Sequence, residues 1–231
     1  MNLPCHKWQD IFSARKICYY CANSSPSQET GYSWHSQIKW GILGGTFNPI
    51  HNGHLIIAKE IQEIFSLEKI LFIPSANPPH KKIEIIDKSH RFNMVKLAIS
   101  SNPNFSISDI EMKKSGKSYS IETIQKLKKK YPVIDFYFII GIDAFLEIFK
   151  WKKALKLISI CNFIVINRQG YKLEDISEKV KKQVIIQEIS NIDISSSKIR
   201  TLIKNKKSIK YLVPEKVEQY IEIKGIYQNE K

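Results

Sequence analysis

Apolar and polar positions follow two different periods along the chain from Ile38 onward. Short apolar runs rich in β-branched and aromatic residues are typical of buried strands, whereas an apolar residue at every third or fourth position is typical of a helix. The short runs predict strands over 38–43, 69–73, 106–110, 136–140, 162–166 and 183–189. The longer period predicts helices over 55–65, 90–100, 121–130, 144–158, 173–181, 197–204 and 214–223, with Pro214 at the first helical position of the last.

The regular exchange of strands and helices predicts an α/β fold. Parallel strands need crossover connections, and because these crossovers are right-handed the helices lie on both faces of the sheet. We therefore expect a single domain over 38–231 with a Rossmann-like parallel sheet, whose ligands bind beyond the carboxyl ends of the strands.

Residues 1–37 follow neither period. Ser, Gln, Gly and Pro are frequent in 23–36, as in loops, and the apolar stretch 17–22 is too short for a secretory signal. With one arginine and two acidic residues, the segment also differs from an organelle transit peptide. We expect an N-terminal extension that is disordered or that precedes the true start codon.

Three of the four cysteines lie in that extension. Cys18 and Cys21 form a CxxC pair, but a zinc site needs further ligands at regular spacing, so we favour reduced thiols and predict no metal site. Because the chain lacks a disulfide framework, we expect a reducing, cytoplasmic setting.

Composition narrows the classes of protein that remain. At 43% hydrophobic and 25% charged residues the chain can fold around a core, and its apolar runs are too short to cross a bilayer, so we expect no membrane partner. The net charge of +14 leaves a basic nucleic-acid-binding protein as an alternative. Only four of the 36 basic residues are arginines, which is typical of A/T-rich codon usage, so we predict no specific nucleic-acid partner. In such a chain an arginine indicates a place that needs a planar, bidentate donor.

A glycine-led turn follows the first predicted strand. It reads Gly44-Gly45-Thr46-Phe47-Asn48-Pro49-Ile50-His51-Asn52-Gly53-His54, and a helical period begins directly after it. Adjacent glycines let backbone N–H groups approach a phosphate, and the start of a helix adds unpaired donors and a positive dipole end. His51 and His54 lie at the edge of the turn, where both imidazoles can reach the same anion. The sequence therefore predicts an anion site here.

This turn resembles the HxGH signature of the nucleotidylyltransferase superfamily, and its neighbouring motifs resemble those of bacterial nicotinate-nucleotide adenylyltransferases. Asn48 departs from the pattern, since the family more often has Asp there, and the extension before Ile38 is a second departure. The supporting motifs are PSANPPHK at 74–81, HRFNM at 90–94, SYSIET at 118–123, GID at 141–143, Trp151, and ISSSKIR at 194–200.

The resemblance implies transfer of AMP from ATP to nicotinate mononucleotide, which yields nicotinate adenine dinucleotide and pyrophosphate in a step of NAD biosynthesis. It also implies Mg²⁺ bound with ATP and held mainly by the triphosphate. Nicotinamide mononucleotide and phosphopantetheine are the alternative acceptors, and assembly into a homo-oligomer is left open.

The resemblance also assigns roles to residues. The catalytic group comprises His51, His54, Lys81 and Arg200, which hold the polyphosphate as negative charge builds on the leaving group. The further ATP-binding residues are Gly44, Gly45, Thr46, Phe47, Gly141, Asp143, Arg168, Ser195, Ser196 and Ser197. The mononucleotide-binding residues are Thr46, Ser120, Trp151 and Lys152.

Three of these assignments also have a physical reason. The serines at 195–197 are N-cap candidates for the helix that carries Arg200, so its first N–H groups can cradle a phosphate. Asp143 follows a buried strand, where its carboxylate can accept from ribose hydroxyls or cap the next helix. Trp151 lies among lysines 150, 152 and 153, a poor environment for burial. We expect its ring to stack on a pyridine ring whose carboxylate meets Lys150, Lys152 and nearby backbone N–H groups.

Overall fold

Six parallel strands form one sheet. The computed structural model describes residues 38–77, 85–113, 116–167, 184–190 and 192–228. The strands are β1 (Ile38–Gly45), β2 (Lys69–Pro74), β3 (Phe105–Ile107), β4 (Ile134–Gly141), β5 (Asn162–Asn167) and β6 (Ile185–Glu188). Their order across the sheet is β3-β2-β1-β4-β5-β6, and every neighbouring pair is parallel. The predicted parallel α/β fold is confirmed.

Seven α-helices lie in the described part of the chain. They are α1 (Asn52–Ile64), α2 (Lys88–Ala98), α3 (Ser120–Lys130), α4 (Ile142–Leu146), α5 (Ala154–Ile160), α6 (Ser196–Lys204) and α7 (Glu215–Lys224). Pro214 precedes α7 at the N-cap and is not its first helical residue, which corrects the predicted start. The extension 1–37 and the predicted helix over 173–181 lie outside the described residues.

The single helix predicted over 144–158 is wrong. The structure divides this segment into α4, a 3₁₀ turn at Ile148–Lys150, and α5. Lys153 has a φ of 54°, a left-handed conformation that a continuous right-handed helix excludes. The interruption places Trp151 and Lys152 in a turn between two helices rather than inside a helix.

The third strand is shorter than predicted. The sequence pattern indicates a strand over 106–110, whereas β3 covers only Phe105–Ile107. The backbone N–H of Ser108 still donates to the Phe72 carbonyl, after which the chain turns at Ile110. β3 is an edge strand whose single neighbour is β2, and their ladder ends at the pair Phe72 and Ile107, before β2 itself ends at Pro74.

Helices cover both faces of the sheet, as the crossover argument predicts. Apolar side chains of α1, α2, α6 and α7 pack on one face, and those of α3, α4 and α5 pack on the other. Neighbouring residues of β1 alternate between the two cores, with Leu43 in the first and Ile42 in the second. No helix in the described residues is long and apolar enough to cross a membrane.

The strand order reverses between β1 and β4. The chain leaves β1 toward β2 on one side, and it leaves β4 toward β5 on the other. Such a reversal opens a crevice at the carboxyl ends of the two central strands. Leu43 pairs with Ile139, so Gly45 and Gly141, which end β1 and β4, both reach this edge.

Candidate active site

The glycine turn is a firmly packed segment whose most exposed residue is Gly44. Gly44 is exposed, whereas residues 46–51 are buried, with Thr46 at 8% exposure and Phe47 at 3%. The Gly45 carbonyl accepts from the Ser75 N–H at 2.8 Å, which fixes the turn to the segment after β2. The predicted order of strand, turn and helix is confirmed, but β1 includes Gly44 and Gly45, and α1 begins at Asn52, three residues earlier than the helical period predicts.

The two histidines face each other at the start of α1. Their ring centroids are 3.7 Å apart, and the His51 backbone N–H donates to His54 Nδ1 at 3.2 Å. Because Nδ1 accepts this bond, the proton of a neutral His54 lies on Nε2. His51 is buried at 5% exposure and His54 is half-buried, so the imidazole of His54 is the more accessible of the two.

Neighbouring residues hold His54 in place. The ring of Phe47 packs edge-on against His54 with centroids 5.1 Å apart. Gly53 lies between the histidines, and a Cβ there would come within 3.1 Å of His51 Nδ1. A side chain at position 53 therefore requires the imidazole to move, which explains why glycine separates the two histidines.

The N-terminus of α6 docks on the same turn. Ser195 caps the helix, since its hydroxyl accepts from the Lys198 N–H at 3.2 Å. Ser196 Oγ donates to the Pro49 carbonyl at 2.8 Å, and Arg200 Nη1 donates to the Asn48 carbonyl at 2.7 Å. Arg200 Nη2 also donates to Ser197 Oγ at 3.2 Å. The turn 44–54 together with 195–200 is called the phosphate end below.

Tyr227 reinforces the phosphate end from the C-terminal segment, a contact that the sequence analysis missed. Its hydroxyl donates to Asn48 Oδ1 at 2.8 Å, and burial raises the pKa of this tyrosine. A side-chain carbonyl at position 48 accepts this bond without adding a negative charge beside Arg200. Asn at position 48, where the family more often has Asp, therefore pairs with the uncharged hydroxyl of Tyr227.

The end of β4 supplies Gly141 and Asp143. Gly141 is the N-cap of α4 and Asp143 lies exposed in its first turn, so Asp143 does not cap the helix. A Cβ at Gly141 would lie 2.6 Å from Asp143 Oδ1. Glycine at position 141 therefore lets the carboxylate lie against the backbone at the carboxyl edge of the sheet.

A second group of residues lies at the broken segment after α4. Trp151 is half-buried, and its ring packs edge-on against Phe138 of β4 with centroids 6.3 Å apart. Lys152 Nζ donates to Glu122 Oε1 at 2.9 Å, which joins this turn to the first turn of α3, where Ser120 is the first residue. This bond brings Lys152 and the adjacent Trp151 to the start of α3; we call Ser120, Trp151 and Lys152 the mononucleotide end.

Carboxylates balance the lysines of the mononucleotide end. Lys150 Nζ lies 2.6 Å from Glu147, and Lys152, besides its bond to Glu122, lies 4.2 Å above the ring of Tyr119. The bond to Glu122 raises the pKa of Lys152. These pairs do not support the prediction that the two lysines supply a positive field. The backbone N–H groups of Lys152 and Lys153 donate to no acceptor within the described ranges.

Arg91 is a functional candidate that the sequence analysis quoted only within a motif. Its guanidinium is 1% exposed and donates to the carbonyl of Thr46 in the glycine turn at 2.8 Å. The scarcity of arginine in this chain was the signal that could have singled it out. Lys81 and Arg168, by contrast, lie outside the described residues, and their roles stay predictions.

Known proteins resemble this chain in sequence and in fold. The Cytidylyltransferase-like family matches residues 42–202. A Clostridium tetani protein named "Probable nicotinate-nucleotide adenylyltransferase" is 46% identical over 198 residues, which cover 82% of this chain and 99% of the relative. A Geotalea daltonii protein of the same name is 42% identical over 214 residues, which cover 83% of this chain and 99% of that relative.

A solved structure has the same fold at lower identity. Plasmodium falciparum nicotinic acid mononucleotide adenylyltransferase complexed with NaAD superposes with a TM-score of 0.70 at 24% identity. The superposition covers 82% of this chain and 97% of that one. The family model and the sequence relatives show that this chain belongs to the cytidylyltransferase-like family, alongside its relatives named nicotinate-nucleotide adenylyltransferase.

Proposed function

We propose that this chain transfers AMP from ATP to nicotinate mononucleotide. A phosphate oxygen of the mononucleotide attacks the α-phosphorus of ATP in line, and the bond from that phosphorus to the oxygen bridging to the β-phosphate breaks. The products are nicotinate adenine dinucleotide and pyrophosphate. Phosphoryl transfer of this kind needs no nucleophilic side chain, because positioning and charge stabilisation carry the catalysis.

The observation that carries this proposal is the convergence of three donor sets at the phosphate end. The exposed backbone of Gly44, the half-buried imidazole of His54 and the guanidinium of Arg200 come from segments up to 156 positions apart, yet α6 is bonded directly to the turn. Arg200 uses two of its five N–H groups in those contacts, which leaves three for phosphate oxygens. The arrangement suits a polyphosphate far better than a single carboxylate or a neutral ligand.

His54 fits the role of stabilising charge that develops during transfer. Its Nδ1 is occupied by the His51 backbone N–H, so its tautomer and ring orientation are set before substrate binds. A donor that is already oriented costs no reorganisation when negative charge builds on the departing pyrophosphate. His51 contributes by holding the ring of His54, and its own imidazole is largely shielded from solvent.

Mg²⁺ enters the proposal as a companion of ATP. The donors of the phosphate end are imidazole, guanidinium, hydroxyl and backbone N–H groups, which suit phosphate oxygens rather than a hard cation. In the part of the chain that the structure describes, no three His, Cys, Asp or Glu residues are grouped to hold a metal ion. We therefore infer that the triphosphate chelates Mg²⁺, which neutralises phosphate charge when bound.

The mononucleotide end suits a flat ring that carries a carboxylate. Trp151 offers a partly exposed aromatic surface, and the N–H groups of Lys152 and Lys153 are available as donors. A carboxylate accepts from such donors, whereas the NH₂ of an amide cannot. This asymmetry favours nicotinate over nicotinamide mononucleotide without a net charge from the lysines. The solved Plasmodium falciparum relative, which is complexed with NaAD, supports this choice.

The test is pyrophosphate release from ATP and Mg²⁺ with nicotinate mononucleotide, nicotinamide mononucleotide and phosphopantetheine assayed in parallel. We expect kcat/KM for the acid to exceed that for the amide by about tenfold or more, the effect of one unpaired polar contact. Mass spectrometry of the product identifies the dinucleotide.

The remaining outcomes separate the alternatives. Equal use of acid and amide would remove the acid preference while leaving adenylyl transfer in place. Preferred use of phosphopantetheine would identify a different acceptor. No release with any acceptor would overturn the proposal, and nucleic acid that copurifies with such an inactive protein would favour the nucleic-acid-binding alternative.

A further inference from the structure

Arg91 is a charged side chain deep inside the protein. It lies on α2, is 1% exposed, and is among the largest fully buried side chains of the described residues. Burial lowers its pKa, but an arginine guanidinium stays protonated in proteins. A buried charge is costly unless hydrogen bonds compensate it, so its contacts indicate what the position is for.

The guanidinium donates only to backbone carbonyls among the described residues. Nη1 donates to Thr46 and Ser75, Nη2 donates to Ala76 at 2.9 Å, and Nε donates to Ile86 at 3.2 Å. No carboxylate of the described residues lies within 4 Å of it as an ion-pair partner. One rigid fork therefore joins three separate segments: the glycine turn, the residues after β2, and the residues before α2.

Further contacts continue from this fork toward the mononucleotide end. The segment after β2 reaches Asn77, whose carbonyl accepts from the Ser118 N–H at 3.1 Å. The Asn77 N–H donates in return to Ser118 Oγ at 3.5 Å. Ser118 is buried and lies two residues before Ser120, the first residue of α3. Hydrogen bonds and short stretches of backbone thus connect the phosphate end, through Arg91, to the residues that precede α3.

We propose that Arg91 is a positioning residue that fixes the phosphate end relative to the mononucleotide end. It touches neither substrate, and the inference rests on the proposed function, which needs both substrates aligned. In-line attack requires the phosphate oxygen of the mononucleotide close to the α-phosphorus, and a misplacement of about 1 Å can cost about 100-fold in rate. Loss of the fork should therefore lower kcat more than it changes the KM of either substrate.

Arginine is specifically suited to this task. Its planar fork presents donors in several directions at once, whereas a lysine ammonium is a compact charge at the end of a flexible stem. The chain uses lysine at most basic positions but has arginine here. Arg91→Lys therefore keeps the positive charge and most of the volume while removing the geometry that spans the three segments.

The experiment compares Arg91→Lys and Arg91→Gln with Met94→Ala, a matched control. Met94 lies one turn away on α2, is fully buried, and has no part in the carbonyl contacts. For each protein we measure the melting temperature, kcat, and the KM of ATP and of nicotinate mononucleotide. We expect kcat of Arg91→Lys to fall about tenfold or more with both KM values within about threefold, as for lost alignment. Met94→Ala should lower the melting temperature at least as much while kcat stays within about twofold.

Each other result overturns the inference. If kcat of Arg91→Lys falls no further than that of Met94→Ala, Arg91 serves packing alone. If neither Arg91 variant folds while Met94→Ala does, the residue holds the fold together rather than aligning substrates. If the wild type itself releases no pyrophosphate, it is the proposed function that fails, which the parallel wild-type assay distinguishes.

Discussion

The phosphate end and the mononucleotide end are built by different means. At the phosphate end, Arg200 and Ser196 bond to the backbone of residues about 150 positions earlier, and all these contacts are at least partly buried. At the mononucleotide end, the polar contacts are exposed ion pairs, such as Lys152 with Glu122. The first end is fixed by partly buried hydrogen bonds between distant segments, and the second by a partly buried ring and surface charges.

This difference indicates where the binding specificity for each substrate resides. Partly buried hydrogen bonds keep donors oriented before the substrate arrives. Each donor of the phosphate end should therefore stabilise the transition state strongly. Exposed ion pairs contribute little, because water and salt screen them. At the mononucleotide end, stacking and backbone donors should therefore matter more than charge.

The largest effect should come from His54 at the phosphate end. His54→Ala removes a preoriented donor, so we expect kcat to fall by about two to three decades with a modest change in the KM of ATP. His54→Gln keeps a side-chain N–H donor and should recover part of the loss. Steady-state kinetics with ATP varied at saturating mononucleotide checks both variants. A raised KM with unchanged kcat would mean that His54 only binds, and full activity would remove it from the site.

A smaller effect should follow from changing the fork of Arg200 while its charge is kept. Arg200→Lys loses the planar fork whose separate nitrogens contact the Asn48 carbonyl and Ser197 while leaving N–H groups for a phosphate, so we expect about a tenfold loss in kcat/KM for ATP. Arg200→Met, which loses the charge as well, should lose more. A kcat/KM for ATP in Arg200→Lys equal to that of the wild type would show that only the charge of Arg200 matters. The scarcity of arginine would then be no guide to this site.

The smallest effect should come from the lysines of the mononucleotide end. Because Glu122 balances the charge of Lys152, Lys152→Met should change the preference for acid over amide by less than about threefold. Glu122→Gln, the matched change on the other partner, should likewise have little effect. Competition assays with both mononucleotides measure the ratio. If Lys152→Met alone lowered the preference for acid over amide by tenfold or more, the result would support the positive field that the lysine pattern predicts.

The fold was largely predictable from sequence because its signals are local. Runs such as that of β1 combine β-branched residues with flanking glycines, and a helical period follows most of them. The interruption between α4 and α5 was not predictable, since apolar spacing continues through it while Lys153 adopts a left-handed backbone. Within this turn Trp151 packs against Phe138 of β4, a tertiary contact that the helical pattern does not reveal.

The features of the site likewise fall into those that the sequence could indicate and those that it could not. The glycine turn and the serine-capped helix are contiguous motifs, so sequence could indicate both, and the structure brings them together. The carboxylate partner of Lys152 could not be predicted, because Glu122 lies 30 positions from it along the chain. The fork of Arg91 was also hidden, since its acceptors are backbone carbonyls that no residue type reveals.

The separation of the two ends is tested most directly by the Michaelis constants of Trp151→Ala for its two substrates. We expect the KM of nicotinate mononucleotide to rise about tenfold, the scale of one lost aromatic contact, while the KM of ATP stays within about twofold. Trp151 also packs against Phe138, so some loss of melting temperature is expected. A KM for ATP that rises as much as that for the mononucleotide would contradict the account, because Trp151 would then support the whole site as part of the core.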